Sequence, residues 1–530
     1  MSPLSPNMAA IPYAYLFALA TIIFFFLYPA VHYFKDPKRL RRFPNLSLLS
    51  GISSLPFIVV AHGGFRSKYL AKVHKKHPVI RTGPNSLSYG DPRAIKDIYG
   101  HNTKCTKDGA YVVTMGSHFH LADVIDNKEH SRKRKVLSSA YALKNLESWE
   151  HKVADKTEKL IAHFDQMCTA PLPEGQKMPD SKDLNVDYRS WTNFFSIDAI
   201  ADIGLSEKIG FLDTGSDLCS AERLDGSEYQ IGFRDALYQN ARKQSLLLWN
   251  YDWYPFLNKI VDIIPFYRRM SKHARDWDAI YLSRSSKRLK RYQAGERLDD
   301  FFQALMEDKN GSPNNLEWGE IVAEVGIMMN AGSVTTAIAM ANVMLQLLKN
   351  PNVMKKLTAE IDSVLDDDEV VASHDKVKHL PYLKACLDES LRLFPPTSHG
   401  LTRAVPQDGM NILGEYIPGG TSVSISAYVA HRDETIFPMA DRFIPERWLG
   451  EEGKALQPYF LAFSAGARGC IGRNISYLEQ TVLLASVLHR YNFALPSPDW
   501  DIERLETMNM ILGEMPVKVW RRERPAEADL

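Results

Sequence analysis

The chain has 530 residues, 45% of them hydrophobic and 24% charged, with 64 Lys+Arg against 63 Asp+Glu and a formal net charge of +1. That is enough apolar material for a large packed core, and too even a charge balance for a nucleic-acid partner to be read from it. Five cysteines, at 105, 168, 219, 386 and 470, form no disulfide framework by spacing and argue for a reducing compartment.

Residues 11–31 carry no charged side chain and are long enough, at about 1.5 Å per residue, to cross a hydrocarbon core of roughly 30 Å. Lys35, Lys38, Arg39, Arg41 and Arg42 follow at once, while the first ten residues hold no Lys or Arg. A single membrane span with the remaining chain cytoplasmic is therefore expected. A cleaved signal peptide is the competing reading, but its basic leader and small-residue cleavage site are missing. The expected organisation is an anchor over 1–34 and one large domain over 35–530, because no linker, repeat or low-complexity tract divides the rest.

Alternation from Val79 to Tyr89 predicts a small hairpin. The run Glu129-His130-Ser131-Arg132-Lys133-Arg134-Lys135 reads by itself as a basic helix face. The polar stretches Thr169 to Asp187 and Asp213 to Ser227 are expected to be surface loops. From Asn315, a plausible N-cap, an apolar pattern continues to Asn350-Pro351 and predicts a helix of roughly 50 Å at about 1.5 Å per residue. Its middle holds Ala331-Gly332-Ser333-Val334-Thr335-Thr336, where a glycine costs about 1 kcal/mol relative to alanine. Close helix packing is the plain explanation of that glycine.

Leu380 to Phe394 predicts another helix, ended by Pro395-Pro396. Glu389 and Arg392 stand three apart on one face of it. Strand alternation follows around Pro418-Gly419-Gly420, from Tyr416 to Val429. Near the C-terminus, Phe463-Ser464-Ala465-Gly466-Ala467-Arg468-Gly469-Cys470-Ile471-Gly472 precedes an apolar helical run from Ile475 to Leu488. No CxxC and no nearby histidine accompany Cys470, so a zinc knuckle or dithiol pair is disfavoured against a lone thiolate on one metal. An axial thiolate on haem iron favours O–O bond cleavage. A buried inert cysteine is the alternative.

The loop from Phe463 to Gly472 resembles that of the cytochrome P450 haem-thiolate monooxygenases, whose FxxGxRxCxG pattern it matches at every fixed position. The resemblance implies a mainly α fold with small β-sheets and a haem b cofactor with Cys470 as its axial ligand, Phe463 and Arg468 belonging to the same haem-binding loop. It makes Thr335 the oxygen-activating threonine and Gly332 the opening of an oxygen groove. His130, in the family's tryptophan position, and Arg134 and Arg403 become partners of haem propionates. Glu389, Arg392 and Arg447 become a buried structural network.

Arg132, Lys133 and Lys135 would lie on the surface where an acidic NADPH-dependent flavoprotein reductase docks. The family's acid before the threonine is replaced by Val334. A water chain past Asn330 and Ser333 is the expected substitute for proton delivery.

The resemblance further implies an endoplasmic reticulum protein whose single span meets membrane lipid, with a small lipophilic substrate and no nucleic-acid partner. Its sequence style is closest to filamentous-fungal enzymes of secondary metabolism. The lining expected from the family comprises Tyr111 to Leu121, Met328-Met329, Pro396 to Leu401 and Met508 to Leu512. With no evident Arg or Lys to pair a carboxylate, it suits a phenolic or polyketide-derived aromatic oriented in part by His399. A haem-thiolate isomerase or dehydratase working without a reductase, and a non-catalytic haem sensor, are the alternatives.

Overall fold

The computed structural model describes residues 15–523, apart from 17, 18, 21, 22, 142, 177 and 224. The helices that build the centre are α1 (Asn127–Ala140), α2 (Leu143–Met167), α3 (Tyr188–Leu205), α4 (Pro265–Gln293), α5 (Trp318–Lys349), α6 (Pro381–Leu393) and α7 (Arg473–Arg490). Strands β1 (Val79–Gly83), β2 (Ser86–Tyr89), β3 (Thr106–Lys107), β4 (Arg403–Ala404) and β5 (Ser422–Ile425) form a five-stranded sheet in the order β1-β2-β5-β4-β3. Only β5 with β2 is parallel. This is the mainly helical body with small sheets that the sequence predicts.

Helix α5 is the axis of the molecule. It begins two residues later than the sequence pattern suggests, because Glu317 is the N-cap and forms a reciprocal capping box with Glu320, and Asn315 lies outside with a left-handed φ of 51°. Val325, Met344, Leu345 and Leu347 are fully buried, each worth about 1.5–3 kcal/mol over an exposed side chain. Gly332 faces α3, where an added Cβ would sit 2.5 Å from Ile200 Cγ1. That glycine thus permits close packing against α3, and it also lines the cavity described below. Met328 fills the reciprocal notch at Gly204, at 2.1 Å from an added Cβ.

Helix α6 carries a buried hub. Glu389 accepts from Arg392 Nε and Nη2 at 2.8 Å each, Arg447 Nε at 3.1 Å, Trp448 Nε1 and Ile444 N at 2.9 Å each. Arg392 Nη1 in turn donates to the carbonyls of His431 and Ala440, and its Nη2 to that of Arg442. The Glu389 carboxylate is thus paired with two guanidiniums and the second of these, Arg447, also donates to Pro438 O, the kind of pairing under which a buried carboxylate is tolerated. The predicted network is present.

Several boundaries differ from the sequence reading. Asp213 to Ser227 is not one loop, since Phe211–Thr214 is helical and Leu218–Glu222 pairs with Glu228–Gly232. Thr169 to Asp187 ends in a strand, Val186–Asp187, added to Pro516–Arg521. Beyond Ile425 the chain turns into a short helix, Ala427–Ala430, capped by Ser426. Of the expected span over 11–31, residues 11–14, 17, 18, 21 and 22 lie outside the described residues, while Ile23–Leu27 is a π-helical turn that runs into the helix Tyr28–Lys35. Among the described residues, the one helix long and apolar enough to cross a membrane is α5, and it is mostly buried inside the protein.

Candidate haem pocket

A cavity of about 550 Å³ lies between α1, α3, α5 and the loop before α7. His130, Thr335, Arg134, Arg403, Phe463, Arg468 and Cys470 all line it. Cys470 sits just before α7, and its accessible surface opens into this cavity. Its N–H donates to Phe463 O at 2.9 Å, closing the loop on itself. Burial pushes the thiol pKa up, while the amides of Gly472 and Arg473 and the charges of Arg134 and Arg473 pull it back. Gly466, at φ 65°, lets the loop pass 2.2 Å from Tyr99 O as measured from an added Cβ, which no side chain could tolerate.

One wall is crowded with cations. Arg134 Nη1 donates to Gly469 O at 2.6 Å, tying α1 to the cysteine loop. Arg468 donates to Val124 O, Ile125 O and Asn127 Oδ1 at 2.8–3.0 Å. Arg403 is 3% exposed and donates to Tyr111 Oη at 2.9 Å. Lys107, which the sequence reading missed, sits opposite Arg403 in the β3–β4 register and is buried with its Nζ 4.6 Å from the Tyr111 ring centre. Nothing in the local sequence distinguishes it from a surface lysine, because its burial comes from strand pairing.

These groups disturb each other in a way that reveals what they lack. Burial, then the charges of Arg468, Lys107, Arg134 and Arg403, depress His130 to about 3. Burial and Arg403 bring Arg468 down to about 10. Lys107 is held well below its usual range by burial and then by Arg403 and Arg468. Asp108, the buried acid nearby, is already occupied by Ser422, Thr402 and the Ala110 N–H. Such a wall calls for an anionic ligand. The propionates of a haem supply that charge, and a thiolate on the adjoining loop suits its iron.

The comparisons agree with this geometry. The description Cytochrome P450 matches residues 54–519. The chain belongs to the cytochrome P450 family. Benzoate 4-monooxygenase bphA of Aspergillus niger is 27% identical over 91% of this chain and 93% of its own length. Cytochrome P450 monooxygenase efuB of Hormonema carpetanum is 30% identical over 84% and 85%. Cytochrome P450 monooxygenase atr2 of Stereocaulon alpinum is 30% identical over 87% of each. As a P450 the protein is a haem-thiolate monooxygenase, and its cofactor carries iron with a cysteine axial ligand.

Across the cavity, Thr335 is half-buried and its Oγ1 donates to Ala331 O at 2.8 Å. Asn330 lines the cavity, but Ser333 does not: it is fully buried and donates to Met329 O at 2.6 Å on its own helix. The expected route past Ser333 is therefore corrected. Thr336 stands in its place, 3.0 Å from Ser476 on α7, and both residues line the cavity.

The lining differs in detail from expectation. Tyr111, His118, Leu121, Met328, Thr397, His399 and Met508 line the cavity, whereas Phe119, Met329, Ser398, Met510 and Leu512 do not. Ser398 is buried with its hydroxyl on Pro395 O. Lys133 is also corrected: it is 4% exposed, 2.8 Å from Glu320 and 3.4 Å from Glu324, and so belongs to the interior rather than to a docking face. Arg132 and Lys135 remain at the surface.

Proposed function

We propose that this P450 hydroxylates a small, lipophilic, neutral aromatic of polyketide or phenolic type, using O2 and electrons from an NADPH-dependent flavoprotein reductase. The observation that carries this reading is the cavity itself, which joins a cationic wall, a cysteine loop and the Thr335 face of α5 around one space. Haem supplies the oxygen chemistry when bound. Cys470 would hold its iron, His130, Arg134, Arg403, Arg468 and Lys107 would meet its propionates, and Phe463 would belong to the same cysteine loop.

Thr335 Oγ1 would relay a proton within the cavity, drawn from water ordered by Asn330 and by the Thr336–Ser476 pair. Val334, buried on the helix, has no proton to give. The apolar lining around Met328, Met508 and Leu121 excludes bulk water, and a few polar groups orient the ligand. His399 is one of them, kept neutral because burial and then Arg66 hold its pKa far below 6.5. The relative named for benzoate supports an aromatic substrate class.

We place the chain at the endoplasmic reticulum membrane on a single N-terminal span, the domain facing the cytoplasm. In support, Tyr15, Leu16, Leu19, Ile23, Phe24 and Leu27 are all exposed, an apolar series that water alone would not favour. Arg132 and Lys135 would face the reductase.

The deciding experiment is turnover of a phenolic substrate with reductase, NADPH and O2 supplied or withheld singly. Product should require all three. Product formed without reductase would establish an isomerase or dehydratase instead.

A further inference from the structure

The cavity contains an acid that the sequence reading did not single out. Glu324 stands eleven residues before Thr335 on α5, close to three full turns, so the two share a helix face. Both line the cavity, with Met328 and Ala331 between them. Glu324 is 3% exposed. Its Oε1 accepts from Leu121 N at 2.9 Å and lies 3.4 Å from Lys133 Nζ. Among the described residues no hydrogen bond reaches Oε2. Close by, Asp123 accepts from His120 N at 2.8 Å, with His120 Nε2 at 3.2 Å from its other oxygen.

We propose that Glu324 is a specificity-determining residue: it accepts a hydrogen bond from the hydroxyl of an elongated, neutral aromatic of two or three rings, whose far end is the position oxidised. The proposal rests on the reading of this cavity as the haem and substrate pocket of an aromatic hydroxylase. Length argues for it. Eleven helical residues span roughly 16 Å, and the length of a hydrogen bond at one end with a van der Waals gap at the other leaves on the order of 10 Å between an anchored hydroxyl and a carbon near Thr335. A single ring is too short to touch both ends.

Charge selects the chemistry of the anchor. Lys133 already pairs with Glu324, and Arg132 with Glu320, so a ligand ammonium would compete with a cation in place. A ligand carboxylate would set a second acid against Glu324. A hydroxyl needs only the free acceptor. Burial also raises Glu324 to about 7, which lets its carboxyl serve in either form near neutrality.

The test uses the full-length, haem-loaded protein and three probes, 4-hydroxybiphenyl, biphenyl and biphenyl-4-carboxylate, titrated by the haem spin-state absorbance change. 4-Hydroxybiphenyl should bind at least about tenfold tighter than biphenyl, the scale of one hydrogen bond to a charged group. Glu324→Leu should abolish that advantage, while Glu324→Gln, which still accepts from Leu121 N, should keep part of it. Independently of any variant, the wild type should oxidise 4-hydroxybiphenyl at the ring distant from the hydroxyl.

Equal binding of phenol and hydrocarbon by the wild type, tighter binding of the carboxylate, or oxidation of the hydroxyl-bearing ring would overturn the proposal. So would a phenol advantage that survives in Glu324→Leu. A wild type that responds to long-chain fatty acids and to none of the aromatics would instead remove the substrate class itself, and this assignment with it.

Discussion

Single side chains separate the cofactor's needs from the fold's. Cys470→Ala should lose the red-shifted absorbance of the reduced, carbon monoxide-bound haem, whereas Ala at Cys105, Cys168, Cys219 or Cys386 should retain it. Lys107→Met removes a cation that is buried beside Arg403 and Arg468. It should stabilise the haem-free protein by relieving like-charge repulsion, and lower haem occupancy on reconstitution several-fold, measured by haem titration. Occupancy equal to that of the wild type would remove Lys107 from the propionate wall. Thr335→Ala should divert electrons from product to hydrogen peroxide by about tenfold or more, within the range of general acid–base effects. Peroxide yield at the wild-type level would mean that the threonine plays no part in proton delivery.

Helices and strands explain which of these groups could be foreseen. Cys470, Arg468 and Phe463 are legible because ten adjacent residues make one loop, and Glu389 with Arg392 because helical spacing puts them on one face. Arg134 and His130 are legible only through resemblance. Lys107 and Glu324 are not legible at all, since each becomes functional through a neighbour more than a hundred residues away, Arg403 for one and Leu121 with Lys133 for the other. Ser333 misled for the opposite reason: as a mid-helix serine it satisfies its hydroxyl on its own backbone and turns away from the cavity. The Gly332 contact yields a prediction at this scale. Gly332→Val forces its Cβ against Ile200 and should separate α5 from α3, lowering the melting temperature by several degrees, as overpacking of a tight core does.

The whole molecule adds location and pH response. Asn45-Leu46-Ser47, Asn310-Gly311-Ser312 and Asn474-Ile475-Ser476 match the N-glycosylation pattern, and a cytoplasmic domain should carry no glycan at any of them. A mobility shift on enzymatic deglycosylation of protein from its native membrane would reverse the proposed orientation. Burial raises Asp123 to about 8, and Glu324 to about 7. Between the unfolded carboxyl value of about 4 and these values the native state binds more protons than the unfolded one, so their contribution falls as pH rises. His120, held near 3 by burial, acts in the opposite sense only below about 6.5. From pH 6.5 to 8.5 His120 therefore no longer opposes the carboxyl effect. Asp123→Asn should reduce the loss of melting temperature across that interval by about 1–3 °C, and an unchanged loss would mean that Asp123 titrates normally.

The hub at Glu389 also bears on how long a bound cofactor stays. His431 accepts the Leu461 N–H at 2.8 Å through Nε2, while its Nδ1 bonds Arg392 O at 3.0 Å. The polypeptide leading to Cys470 is thus fastened to α6 through one neutral imidazole, and Arg392 is fastened to Glu389. Haem cannot leave by a local movement of the cysteine loop without straining this clasp, so its escape becomes a rare, concerted opening. Dissociation measured with an apo-globin scavenger should follow the opening rate of residues 431–470 seen by hydrogen exchange, making cofactor lifetime a property of a buried ionic cluster rather than of the iron–sulfur bond alone.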